Sequence, residues 1–115
     1  MLDIEQYEAW VAKTAKHPPS LNYPASGLAA EAGEFSNDLM RMMRKHHKTE
    51  ITVKDLSDPE RHKMAVELGD TLWNLTRAAQ MLGLSLIDIA NLNYKKLLDR
   101  EQRGIEYRTE ISPDA

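Results

Sequence analysis

Apolar residues recur along this chain at the three- and four-residue steps of amphipathic helices, without the alternation a half-buried strand needs. Four helical segments follow. The first covers about residues 4–16, with Ile4, Tyr7, Val11 and Thr14 facing inward and Trp10 alongside. Asp3, with Gln6 three residues on, reads as a capping box that opens it, and Pro18-Pro19 stops it. His17–Tyr23 is an extended connector, and Pro24 suits the first turn of a second helix ending at about Lys45. From His46 to Asp58 the period fades into a polar loop of the length often found in lids and binding loops. Ser57 or Asp58 caps a third helix, about Pro59–Leu82, which Gly83 ends as a C′ glycine does. Ser85 and Asp88 open a fourth, running to about Arg103 and closed by Gly104. Its face through Leu86, Ile89, Asn93, Leu97 and Arg100 begins apolar and ends polar. The expected class is all-α: four helices in one domain over residues 1–104, then a tail, 105–115, with no helical period.

Two acidic stretches stand inside the second and third helices, Glu31-Ala32-Gly33-Glu34 and Glu67-Leu68-Gly69-Asp70. The spacing stacks each pair of carboxylates on one helix face, one turn apart. Asp38 continues the first row and Asn74 the second. Leu28, Phe35, Leu39 and Met42 flank the first row, and Met64, Leu68, Thr71, Leu75 and Ala78 the second, so the acids border apolar stripes. One Glu-x-x-Glu is commonplace on a solvated face. Two, each at the edge of a helix contact, set four carboxylates against one another, and these repel unless a cation or protons neutralise them. Gly27 and Gly33 add to the signal, since each costs a helix interior about 1 kcal/mol relative to Ala and implies a close helix contact or a ligand.

Composition narrows the chemistry. At 115 residues with a net charge of −3, the chain has no basic footprint for nucleic acid. Cysteine is absent, which removes disulfides, thiolate metal sites and Cys nucleophiles. No secretory pattern opens the chain, and no apolar run reaches the roughly 18 residues of a membrane helix; the expectation is a soluble cytoplasmic protein. Donors that are all oxygen suit Mg²⁺, Mn²⁺ or Ca²⁺ over Zn²⁺. A di-iron bundle would want Glu-x-x-His, whereas His17, His46, His47 and His62 lie elsewhere. Because Mg²⁺ shares its coordination with substrate phosphates, a polyphosphate is the natural substrate.

Lys95, Lys96, Arg100 and Arg103 complement the dipole at the end of the fourth helix, yet Asn93, Lys96 and Arg100 also share a face that could meet phosphate. The Lys45–Lys48 run reads as solvated. Trp10 and, less so, Trp73 are candidates for stacking on a base, both otherwise core residues; His17, Asn22 and Tyr23 could read a base edge. No phosphate-binding P-loop and no nucleophile–His–acid triad is legible.

The ordered set Tyr23-Pro24-Ala25-Ser26-Gly27-Leu28-Ala29-Ala30-Glu31-Ala32-Gly33-Glu34, Glu67-Leu68-Gly69-Asp70 and Asn93-x-x-Lys96-Leu97-x-x-Arg100-x-x-Arg103-Gly104 resembles the MazG-like family of all-α nucleoside triphosphate pyrophosphohydrolases. The likeness spans residues 23–104. It implies cleavage between the α and β phosphates, giving a nucleoside monophosphate and pyrophosphate. It also implies Mg²⁺ (or Mn²⁺) on Glu31, Glu34, Glu67 and Asp70, and phosphate contacts from Asn93, Lys96 and Arg100. Asn74 and Trp10 complete the expected substrate-binding set. The family assembles as dimers or tetramers with sites at subunit interfaces. Its glycine-rich acidic tail is replaced here by Ile105-Glu106-Tyr107-Arg108. A carboxylate not fully used as a ligand would take a proton from the attacking water; Glu31 and Glu34 are both open for that part. The rival readings are a related pyrophosphohydrolase of phosphoribosyl-ATP or dUTP, and a non-catalytic helical assembly module.

Overall fold

The structure is a computed structural model and describes residues 1–104; the tail at 105–115 lies outside the described residues. Four α-helices follow in order, α1 (Ile4–Thr14), α2 (Asn22–His46), α3 (Asp58–Met81) and α4 (Leu86–Gln102), with no strand among the described residues. Three of the four starts are capping boxes. Asp3 and Gln6 bond reciprocally at 2.8 and 2.9 Å, Ser57 and Glu60 at 3.2 and 2.8 Å, and Ser85 and Asp88 at 3.1 and 2.9 Å. Ser57, not Asp58, is the cap of α3, with Pro59 in its first turn. Each box satisfies two backbone N–H groups that a helix start leaves without partners.

Elsewhere the boundaries move by a turn or less. α1 ends at Thr14, short of residue 16, with Ala15 already extended. α2 starts at Asn22, so Pro24 falls in its first turn, where a missing N–H costs nothing. Its C-terminus turns through His47 at φ 55°, and the Lys48 N–H reaches the Met43 carbonyl at 3.0 Å. α3 ends in a Schellman turn: Gly83 sits at φ 75°, its N–H bonds the Gln80 carbonyl, and that of Leu84 bonds the Ala79 carbonyl at 2.9 Å. The loop between α2 and α3 carries a 3₁₀ turn at Val53–Asp55, which the polar pattern does not reveal. Asp55 closes it by accepting the Thr52 N–H at 2.8 Å and pairing with Lys48.

α2 and α3 form an antiparallel hairpin that is the body of the protein, since Gly27 meets Asn74, Asp38 meets Lys63 and Lys45 meets Glu60. α1 lies on α3 through fully buried Val11. It is tied there by Gln80, whose Nε2 donates to the Glu8 carbonyl at 2.8 Å, and by the Leu86 N–H, which donates to the Glu8 carboxylate at 2.9 Å. Of the inward face expected for α1, Val11 is buried and Tyr7 and Thr14 are half-buried, but Ile4 is 53% exposed. The first turn of α1 overhangs its support.

The apolar core inside one chain is small. Among the described residues, Val11 and Ala79 are the buried hydrophobic side chains, with Pro24 also buried. α4 keeps Leu86 and Ile89 half-buried, but every residue from 91 to 99 is exposed. Leu92, Tyr94, Leu97 and Leu98 all stand in solvent. The radius of gyration is 17.7 Å, against about 13 Å for a compact chain of this length. α4 therefore extends from the hairpin instead of closing a bundle within one chain.

Candidate active site

The α2–α3 register builds the site. Gly27 to Asp38 and Lys63 to Asn74 are equal steps of 11 residues in opposite directions, about three helical turns. Between these two contacts, Glu31 and Glu34 face Asp70 and Glu67. Glu31, Glu67 and Asp70 each offer a carboxylate oxygen, and these oxygens lie within 4.8 Å of one another. Glu34, exposed and one turn from Glu31, stands outside that group. Burial pushes the Glu67 carboxyl above the usual carboxylate range, and the charges of Asp38, Glu31, Asp70 and Glu34 push it the same way. The tyrosine of α1 joins the edge of the cluster: burial raises the Tyr7 phenol, with the Asp70 charge adding to it. Three oxygen donors this close together could hold a hard divalent ion.

At one end of the row Asn74 is buried. Its Nδ2 donates to the Asp70 carbonyl at 3.0 Å, while its Oδ1 accepts nothing and lies against Gly27. At the other end, Asp38 is 2% exposed and accepts from Lys63 at 2.8 Å and from Arg41. The Lys63 hydrogen bond and that of Arg41 hold its carboxyl below the usual range, against its own burial. Lys63 was not singled out from the sequence. The available signal was its place four residues before Glu67, on the same helix face.

A cleft of about 550 Å³ opens beside the carboxylates, lined by Ser20, Asn22, Tyr23, Ser26, Gly27, Ala30, Glu31 and Asn74. Glu31 thus borders both the acidic cluster and the cleft. A second hollow of about 380 Å³ lies across Tyr23, between Thr14, Lys16, His17 and Trp73. His17 stacks on Tyr23 with ring centres 4.8 Å apart and planes 7° from parallel, and meets the edge of Trp73 at 6.3 Å. Its Nδ1 lies 2.7 Å from the Pro18 carbonyl, and its Nε2 2.9 Å from the Arg77 Nε. A carbonyl only accepts and a guanidinium only donates, so the hydrogen sits on Nδ1. Of the two tryptophans, Trp73 lines a hollow. Trp10, 52% exposed and tilted against Tyr7 at 6.1 Å, borders neither.

Asn93, Lys96 and Arg100 ride on the outlying part of α4, and no hydrogen bond or ion pair described for residues 1–104 ties them to the carboxylates. In the Lys45–Lys48 run, Lys45 pairs with Glu60 at 2.5 Å and Lys48 with Asp55, while the His46 Nε2 lies 3.3 Å from the same Glu60 carboxylate.

Comparison with known proteins bears on this arrangement. A family model described as the MazG nucleotide pyrophosphohydrolase domain matches residues 22–105, which take in α2, α3, α4 and every carboxylate of the row. The "Gene 37 protein" of Mycobacterium phage L5 is 27% identical over 114 residues, covering 90% of this chain and 93% of that protein. No solved structure matches.

Proposed function

The chain belongs to the MazG nucleotide pyrophosphohydrolase family, and from that premise we propose that it hydrolyses nucleoside triphosphates between the α and β phosphates. The observation that carries this is the convergence of Glu31, Glu67 and Asp70 beside a cleft of about 550 Å³ that Glu31 also lines. Glu31, Glu67 and Asp70 would hold Mg²⁺ or Mn²⁺, which when bound neutralises triphosphate charge and polarises phosphate oxygens. Glu34 stands one turn away and free of the cluster, so its carboxylate is the group left to take a proton from the attacking water. Attack at phosphorus otherwise needs positioning and charge stabilisation more than covalent chemistry. The nucleoside enters the cleft at the start of α2, where Asn22, Tyr23 and Ser26 supply polar groups and Asn74 forms the floor.

The phosphate contacts of Asn93, Lys96 and Arg100 come from a second copy of the chain. α4 carries them away from its own hairpin with Leu92, Tyr94, Leu97 and Leu98 bare, and an apolar face of that kind marks an interaction surface. The assembly is a homodimer or homotetramer in which one subunit's α4 completes another's site.

Two measurements test the reading together. Purified protein incubated with a panel of ribo- and deoxyribonucleoside triphosphates should release pyrophosphate and monophosphate with Mg²⁺, and stop on adding chelator. Phosphoribosyl-ATP and dUTP belong in the same panel to test the related substrates. Light scattering should give a dimer or tetramer at micromolar concentration. Orthophosphate as the product would refute the bond assignment, and a fully active monomer would refute the shared site.

A further inference from the structure

We propose that Asp38 is a positioning residue of this site, holding the Lys63 ammonium one helical turn from Glu67 as a fixed cation for the bound polyphosphate. The inference rests on the pyrophosphohydrolase reading above. Its basis is the way Asp38 is used. One oxygen, Oδ1, accepts from cations on two helices, Lys63 of α3 at 2.8 Å and Arg41 of α2. The other, Oδ2, is equally buried and accepts nothing. A carboxylate buried with half its acceptor capacity unused stabilises a helix contact less well than an apolar side chain of similar size. Stability is therefore not what Asp38 contributes.

What it does contribute is order in its partner. The Lys63 side chain is 59% exposed, and a lysine so exposed samples many rotamers unless its ammonium is tethered. Asp38 is that tether. Lys63 stands four residues before Glu67, so the two side chains project from the same face of α3. The row is thereby divided between two tasks: Glu31, Glu67 and Asp70 for the divalent ion, and Asp38 for the cation beside it. Negative charge accumulates on the leaving phosphate oxygens as the anhydride bond breaks. A donor already in place stabilises that charge without reorganising at the moment of reaction.

The test compares kcat/KM of the full chain with Mg²⁺ for wild type, Asp38→Asn, Asp38→Leu, Lys63→Met and the Asp38→Asn/Lys63→Met pair. Asp38→Asn should lose about ten- to a hundredfold, the scale of a charge-assisted contact. The double variant should lose no more than Lys63→Met alone, because Asp38 acts through Lys63. Asp38→Leu should melt no lower than wild type and still be as slow as Asp38→Asn, which a merely structural role would not produce. Mn²⁺ binding without nucleotide should stay within about threefold of wild type in all four, since its ligands are untouched. Wild-type kcat/KM in Asp38→Asn, or losses that add in the double variant, would overturn the inference while leaving the hydrolase reading intact. Absence of turnover in wild type across the whole panel would instead refute that reading and the inference with it.

Discussion

The side-chain oxygen of Asn74 occupies the space that a Cβ at position 27 would need: an alanine methyl there would lie 2.7 Å from the Asn74 Cγ and closer still to Oδ1. Gly27 is therefore the close helix contact that its cost in a helix implies. Gly27→Ala should lower stability by about 1–3 kcal/mol, because the overlap outweighs the better helix propensity of alanine. In an Asn74→Ala background the same change should become neutral or stabilising. Thermal melts of the two singles and the double measure this. Gly33→Ala and Gly69→Ala, where the added methyl meets open space, should raise the melting temperature as controls.

Neutralising a carboxylate proposed to hold the metal should separate activity from stability. Glu31→Gln, Glu67→Gln and Asp70→Asn should each abolish turnover at saturating Mg²⁺. Each should leave the metal-free melting temperature unchanged or higher, because like-charge repulsion is relieved. Glu34→Gln should behave differently, keeping Mn²⁺ affinity within a few-fold while kcat falls by about 10²–10⁴. Near-normal kcat in Glu34→Gln would assign the proton to another group.

Two carboxyls pull the pH dependence of stability in opposite directions. Glu60 is lowered from 4.5 to about 2, first by the Lys45 hydrogen bond and then by the Ser57 backbone. Its contribution is complete above pH 4.5 and disappears as pH falls towards 2. Glu67 is raised, so the folded state holds its proton more tightly than the unfolded chain. The stability it confers is present at low pH and is lost as pH rises through its folded pKa. Denaturant melts of the metal-free protein across the acid range should show Glu60→Gln flattening the fall at low pH. Glu67→Gln should remove the decline on the way up.

The aromatic residues predict which variants discriminate between bases. Tyr23 lines the cleft and Trp73 the hollow behind it, so Tyr23→Ala and Trp73→Ala should change kcat/KM by different factors for different nucleotides. Trp10→Ala should act weakly and uniformly. Lys96→Ala and Arg100→Ala should lower kcat/KM by about ten- to a hundredfold alike for every nucleotide, as charge-assisted phosphate contacts do. A base-dependent loss at Lys96 or Arg100 would show that the two ends of the substrate are assigned the wrong way round.

The sequence by itself determined what depends on neighbours within a turn. Asp3 with Gln6, Ser57 with Glu60 and Ser85 with Asp88 satisfy helix-start N–H groups over three residues, so three helix starts are legible without any tertiary contact. Gly83 ends α3 for the same local reason, as the residue that takes a positive φ most readily. The acidic rows are legible because helical spacing alone stacks Glu31 over Glu34 and Glu67 over Asp70. Tertiary structure decided what depends on how helices meet. Lys63 reaches Asp38 across 25 residues, and only the α2–α3 register selects that pair. The same register gathers Glu31, Glu67 and Asp70 and leaves Glu34 outside, a distinction invisible to a spacing that treats both rows alike. The residue pattern favours Trp10 over Trp73 for stacking, but the packing leaves Trp10 half-exposed against Tyr7 and sets Trp73 on α3 against the His17 ring, where it lines a hollow. Side-chain periodicity specifies a face; the packing of other elements specifies what that face meets.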